Sequence, residues 1–161
     1  MSPAPVEGTP VVGAAAGTAA AVPADESVGR ISSRPVLSAP HTATVWQAWQ
    51  VLVASGRHHV ALVDGDRCVG VLSDRVVLLH LGHELAAAGG TGIGAEPARR
   101  LLPESPTVIP AAAGLVEAAE VMAAHGVDAL GVFDRTGRLV GVVTATDLLA
   151  AACRRLSRTS G

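Results

Sequence analysis

The chain has 161 residues, a formal net charge of −2 at pH 7, 49% hydrophobic residues and only 2% aromatic ones. That length suits one compact domain, or two small lobes sharing an aliphatic, alanine-rich core. All twelve basic residues are arginines, and no arginine stripe with interleaved aromatics occurs, which speaks against nucleic-acid binding by phosphate neutralisation.

Residues 1–27 are mostly Ala, Pro, Gly and Thr without periodicity, the composition of a disordered tail. The apolar run at 11–22 has no positive residue before it, the first being Arg30, and glycines interrupt it, so it does not read as a secretory signal. No stretch approaches the roughly 20 apolar residues of a membrane span. Cys68 and Cys153 are the only cysteines, too few for a disulfide framework or a metal-ligand pattern. Two free thiols in apolar stretches fit a reducing cytoplasm.

A first helix opens at the Thr44-x-x-Gln47 capping box. Val45, Ala48, Trp49, Leu52 and Val53 then recur at helical spacing as one apolar stripe, and Gly56 stops the helix. Trp46 lies off that stripe, available to an interface or to the 28–37 segment. Short apolar strands follow at 60–63 and 68–72 around the turn Asp64-Gly65-Asp66, and a helix is expected at 76–88. The glycine-rich 89–94 segment is a flexible joint, and 96–102 reads as a short helix before Pro103.

The same order then recurs. Residues 115–126 fall on 45–56 at an offset of 70, with the stripe Leu115, Ala118, Ala119, Met122 and Ala123 and the stop Gly126. Strands at 129–133 and 139–143 flank the turn Asp134-Arg135-Thr136-Gly137, and a helix is expected at 147–156. Val69-Gly70-Val71-Leu72-Ser73 matches Val140-Gly141-Val142-Val143-Thr144 at an offset of 71. Two copies are too few for a solenoid and imply a pseudo-symmetric pair with any site near the seam.

A helix ending in Gly, a strand closing on two apolar residues and Asp, a Gly-containing turn and Gly-apolar-apolar-Thr/Ser-x-x-Asp together resemble a CBS (cystathionine β-synthase-type) domain. The second copy carries the whole pattern: Gly126, Val132-Phe133-Asp134, Gly137 and Gly141-Val142-Val143-Thr144-Ala145-Thr146-Asp147. The first keeps Gly56, Leu62-Val63-Asp64 and Gly70-Val71-Leu72-Ser73, but has Val76 where the final Asp belongs. The resemblance covers 28–153 and implies an α/β fold, a pseudo-twofold pair of helix-strand-strand-helix repeats with small packed sheets. The corresponding division is a tail at 1–27, a first repeat at 28–88, a linker with a short helix at 89–106, a second repeat at 107–153 and a C-terminal tail at 154–161.

The resemblance also implies a non-catalytic regulatory module that binds AMP, ATP or S-adenosylmethionine between repeats and associates into a homodimer. Carried over to this chain, Asp147 would hold the ribose hydroxyls. Thr144, at a helix N-terminus, suits a phosphate. The base would lie against Val127, Asp128, Ala129 and Leu130. Helix capping alone would select the same Thr144 and Asp147. In the first copy Ser73 remains an N-cap and Arg75 is placed to reach a phosphate. His58, or its neighbour His59, would line that degenerate site. His80 and His83 share a helix face but lack a third ligand, so no metal site is expected. No Ser, His and Asp spacing assembles a nucleophile with its base, so neither an enzyme nor a required cofactor is expected. A ligand-independent dimerisation or protein-interaction module, its regulated partner unnamed, is the alternative.

Overall fold

The computed structural model describes residues 26–89 and 91–160. The expected tail at 1–25 lies outside the described residues. The tail's last two residues are engaged: Glu26 accepts a hydrogen bond from Arg155 at 3.0 Å, and Ser27 bridges to Gly114.

Each repeat builds one three-stranded sheet with two helices against it. The first comprises α1 (Val28–Ile31), β1 (Ser38–Pro40), α2 (Val45–Ser55), β2 (His59–Asp64), β3 (Arg67–Ser73) and α3 (Asp74–Ala88). The second comprises the 3₁₀ helix Ala98–Leu101, β4 (Val108–Pro110), α4 (Leu115–His125), β5 (Ala129–Phe133), β6 (Leu139–Thr144) and α5 (Ala145–Thr159). The strand orders are β1-β2-β3 and β4-β5-β6, the first pair parallel and the second antiparallel in both sheets.

Local chemistry sets these boundaries. Thr44 accepts the Gln47 N–H at 3.1 Å while Gln47 Oε1 accepts the Thr44 N–H at 2.9 Å, closing the expected capping box. Such a cap is worth about 0.5–2 kcal/mol. Gly56 ends α2 in the left-handed region at φ 64°. Strands β1 and β4 escaped sequence reading because each is three residues long and ends in proline, which an edge strand tolerates. Helix α5 runs past residue 154 to Thr159, through most of the expected C-terminal tail.

The two repeats exchange their leading elements. Val28, fully buried in α1, belongs to the core of the second repeat with Ile109, Leu130 and Val143. Its N–H donates to Ala113 O at 2.9 Å, and that of Gly29 to Ala111 O at 3.0 Å. Seventy residues on, Ala98 is buried in the first repeat's core with Val45, Leu52 and Leu62, its N–H donating to Ala43 O at 2.8 Å.

The expected apolar stripes are narrower than their periodicity. Val45, Ala48 and Leu52 are buried and Trp49 is half-buried, but Val53 is 61% exposed. On α4, Ala118 and Met122 are buried while Ala119 and Ala123 are exposed. Each helix packs on its own repeat's sheet and beside that repeat's last helix, α3 or α5, which leaves the margins of the stripe uncovered. Trp46 is 47% exposed, and its backbone N–H donates to Gly94 O of the linker at 3.0 Å.

Between the sheets Ala61, Val71, Ala129 and Val142 form a third buried cluster, with β3 against β5. The approach is close: a Cβ on Gly131 would lie 2.7 Å from Cys68 Sγ. Burial pushes the Cys68 thiol up to about 11, whereas Cys153 is exposed. A disulfide reagent at neutral pH is therefore expected to label Cys153 rapidly and Cys68 roughly a hundredfold more slowly until the chain is unfolded. Equal rates in the folded protein would contradict this packing.

Candidate ligand clefts between the repeats

The exchange sets the N-terminus of each repeat's last helix opposite residues of the other repeat, and two equivalent clefts result. The first, about 400 Å³, is lined by Thr144 and Thr146 from one repeat and by Val36, Leu37, Arg57, His58 and His59 from the other. The second, about 390 Å³, brings Ser73, Arg75 and Val76 to Leu101, His125, Val127 and Asp128.

Most of the residues singled out from the sequence are therefore divided between two clefts, but Asp147, the expected ribose ligand, is not among the residues lining either one. Thr144 shares its cleft with His58, which was expected at the degenerate site. Val127 and Asp128, expected beside Asp147, instead line the cleft of Ser73 and Arg75. Ala129 is 2% exposed and pairs with Thr144 in the β5–β6 ladder. Leu130 is fully buried in the second repeat's core, because successive strand residues point to opposite faces. The segment expected to hold the base thus contributes only its first two residues to a cleft. In the first cleft the apolar wall is Val36, Leu37 and Val142.

Thr144 and Asp147 form a full capping box. Thr144 Oγ1 accepts the Asp147 N–H at 3.2 Å, and Asp147 Oδ2 accepts both the Thr144 N–H and its hydroxyl at 2.9 Å. All of these bonds to the carboxylate use one oxygen, and among the described residues Oδ1 has no hydrogen-bond partner. In the first repeat Ser73 Oγ accepts the Val76 N–H at 3.3 Å, but Val76 returns nothing.

The basic side of the first cleft is held in place by neighbours. Arg57 donates to Pro35 O at 3.1 Å. His58 Nδ1 donates to Asp74 Oδ2 at 2.7 Å, and this bond, foremost among several causes, lowers the Asp74 carboxyl below its ordinary value. His59 Nε2 donates to Asp128 Oδ1 at 3.1 Å, joining the rims of the two clefts. Arg57 was missed in the sequence. Its only signal there is its place directly after Gly56, equivalent to Val127 after Gly126. The arrangement offers hydroxyls and a helix N-terminus facing an arginine across an apolar floor, which suits a phosphate joined to a flat, apolar-faced group.

Comparison with known proteins bears on what this architecture is. The fold is similar to a CBS domain protein from Pyrobaculum aerophilum complexed with AMP, 26% identical over 79% of this chain and 98% of that one, at a TM-score of 0.63. It is similar to Hypoxic Response Protein I with two coordinated zinc ions, 26% identical, covering 77% and 97% at a TM-score of 0.61. CBSX2 in complex with AMP is 25% identical, covering 80% and 97% at a TM-score of 0.59. A search of curated proteins returned no match. Among the described residues no helix is long and apolar enough to cross a membrane. The CBS domain model matches twice, over residues 28–83 and 99–154, one match on each repeat, and the chain therefore belongs to the CBS domain family as a tandem pair.

Proposed function

We propose that this pair is a non-catalytic regulatory module that senses an adenosine-containing ligand of the AMP, ATP or S-adenosylmethionine type in the first cleft. One observation carries the reading: Thr144 and Thr146, at the N-terminus of a 15-residue helix, face Arg57 and His58 across a single cleft. The phosphate would take the helix N-terminus and Arg57, and a ribose hydroxyl would have to reach past the cleft residue Thr146 to the open Oδ1 of Asp147. AMP in two similar structures supports the ligand class. The second cleft keeps Ser73 and Arg75 but has Val76 in place of the carboxylate, which makes it the degenerate one.

Thermal melting with AMP, ATP and S-adenosylmethionine tests this. At least one is expected to raise the midpoint, by the equivalent of about 2.7 kcal/mol at a hundred times its dissociation constant. Asp147→Ala should abolish most of that rise. Losing the cap also lowers the variant's own midpoint, so the ligand-induced shift is the quantity to compare. No shift with any of the three, or an undiminished shift in the variant, defeats the proposal.

The second reading is assembly without a small molecule. It is favoured by Val116, Leu149 and Leu156, which stand 65–70% exposed on α4 and α5, with Trp46 about half exposed on α2. Such apolar faces mark association surfaces. A homodimer presenting one face to a regulated protein is compatible with either reading. A dimer indifferent to all three ligands and broken by Trp46→Ala favours the second.

A further inference from the structure

Away from both clefts, helix α3 and the inter-repeat linker bring His80, Glu84 and Glu96 together, with one donor atom from each residue lying within 4.8 Å of the others. His80 and Glu84 stand one helical turn apart on the same face. Nε2 of His80 is 3.6 Å from Glu84 Oε2 and lies against Glu96 Oε1. Three electron-pair donors thus converge on one point.

Hydrogen bonds to the linker backbone hold the cluster's surroundings in place. Gly94 N–H donates to Glu84 Oε2 at 2.6 Å. Val45 N–H donates to the Glu96 carbonyl at 2.9 Å and Trp46 N–H to that of Gly94 at 3.0 Å, clamping the linker to the first turn of α2. His80 Nε2 is shut off from solvent, yet it makes no hydrogen bond of acceptable geometry with the carboxylates beside it. With no such bond made, the two carboxylates around Nε2 call for a positive charge among them, either a proton on the ring or a bound cation. The side chains are 26–29% exposed, so the point is sheltered but reachable.

We infer that His80, Glu84 and Glu96 form a binding site for a divalent transition metal ion of the zinc class. Imidazole with two carboxylates suits such a cation, whereas magnesium and calcium prefer oxygen donors alone. Three protein ligands leave a coordination position for water or an incoming group. The bound ion ties the linker to α3 and so fixes the segment that joins the repeats. None of the three residues lines either ligand cleft, so failure here leaves the nucleotide reading intact.

The test uses the full, tag-free chain stripped with a chelator and titrated with zinc sulfate by calorimetry, with metal analysis after gel filtration. One zinc per chain is expected, together with a rise in the melting midpoint. His80→Ala and Glu96→Gln should each weaken binding at least about tenfold. His83→Ala, on the same helix and exposed, should bind as the wild type does. Glu84→Gln is the near-isosteric check should His80→Ala fold poorly. No zinc binding overturns the inference, as does equal affinity in all variants. A melting shift that follows pH but ignores zinc also overturns it, showing a protonated histidine between two carboxylates and no metal site.

Discussion

Leu130→Ala is expected to cost about 2–5 kcal/mol, the range for emptying a large buried aliphatic site, and to destabilise both repeats together. Leu130 is fully buried in the second repeat's core, where it shares a cluster with Val28 from the start of the chain. The first repeat's core in turn includes Ala98, from the segment leading into the second. Each core therefore needs an element whose other end is anchored in its neighbour, and neither is complete alone. Both tryptophans, Trp46 and Trp49, lie on α2 in the first repeat, so their fluorescence reports on the repeat that does not carry the substitution. In Leu130→Ala the fluorescence and far-ultraviolet circular dichroism transitions should coincide and move down together, by about 2–4 °C per kcal/mol. A fluorescence transition left at the wild-type midpoint, with a separate early step in circular dichroism, would show that the repeats unfold independently.

Much of this architecture was legible because local chemistry wrote it twice. The caps at Thr44, Ser73 and Thr144, the stops at Gly56 and Gly126 and the short apolar strands depend on neighbours in sequence, and they formed within a residue of where expected. The across-axis partner of each element was not legible. Alignment establishes that His58 is equivalent to Asp128, but not that His58 lines the cleft of Thr144 while Asp128 lines that of Ser73. That depends on how the sheets face one another, through contacts such as β3 on β5 that no local pattern encodes. The same gap explains Leu130: its apolar character was visible, but its pleat face was set by pairing with Val143. It also explains the grouping of His80, Glu84 and Glu96, since His80 and Glu84 show helical spacing but Glu96 arrives through a glycine-rich linker.

The glycine that opens each Gly-apolar-apolar-Thr/Ser motif shows how the exchange reaches the site. Neither Gly70 nor Gly141 has a positive φ, so backbone freedom does not require them. Space does. A Cβ on Gly70 would stand 2.7 Å from a Leu102 methyl, and one on Gly141 would stand 2.8 Å from Ser32 Cβ. Ser32 and Leu102 follow the exchanged elements α1 and Ala98–Leu101, so each motif glycine is the floor on which the other repeat's leading segment lies. Leu102 can rotate its methyls away. Ser32 Cβ is fixed to a backbone that is pinned one residue later, where Ser33 N–H donates to Val142 O at 2.8 Å. Gly141→Val should therefore cost about 1–3 kcal/mol, the usual penalty of overpacking, and more than Gly70→Val. It should also loosen Ser33, which lines the first cleft, so that hydrogen exchange at its amide accelerates and the nucleotide-induced melting shift shrinks. Denaturant midpoints with amide exchange decide the matter. If Gly70→Val proves the costlier, or if Ser33 stays protected in Gly141→Val, the leading segment is not what the motif glycine accommodates.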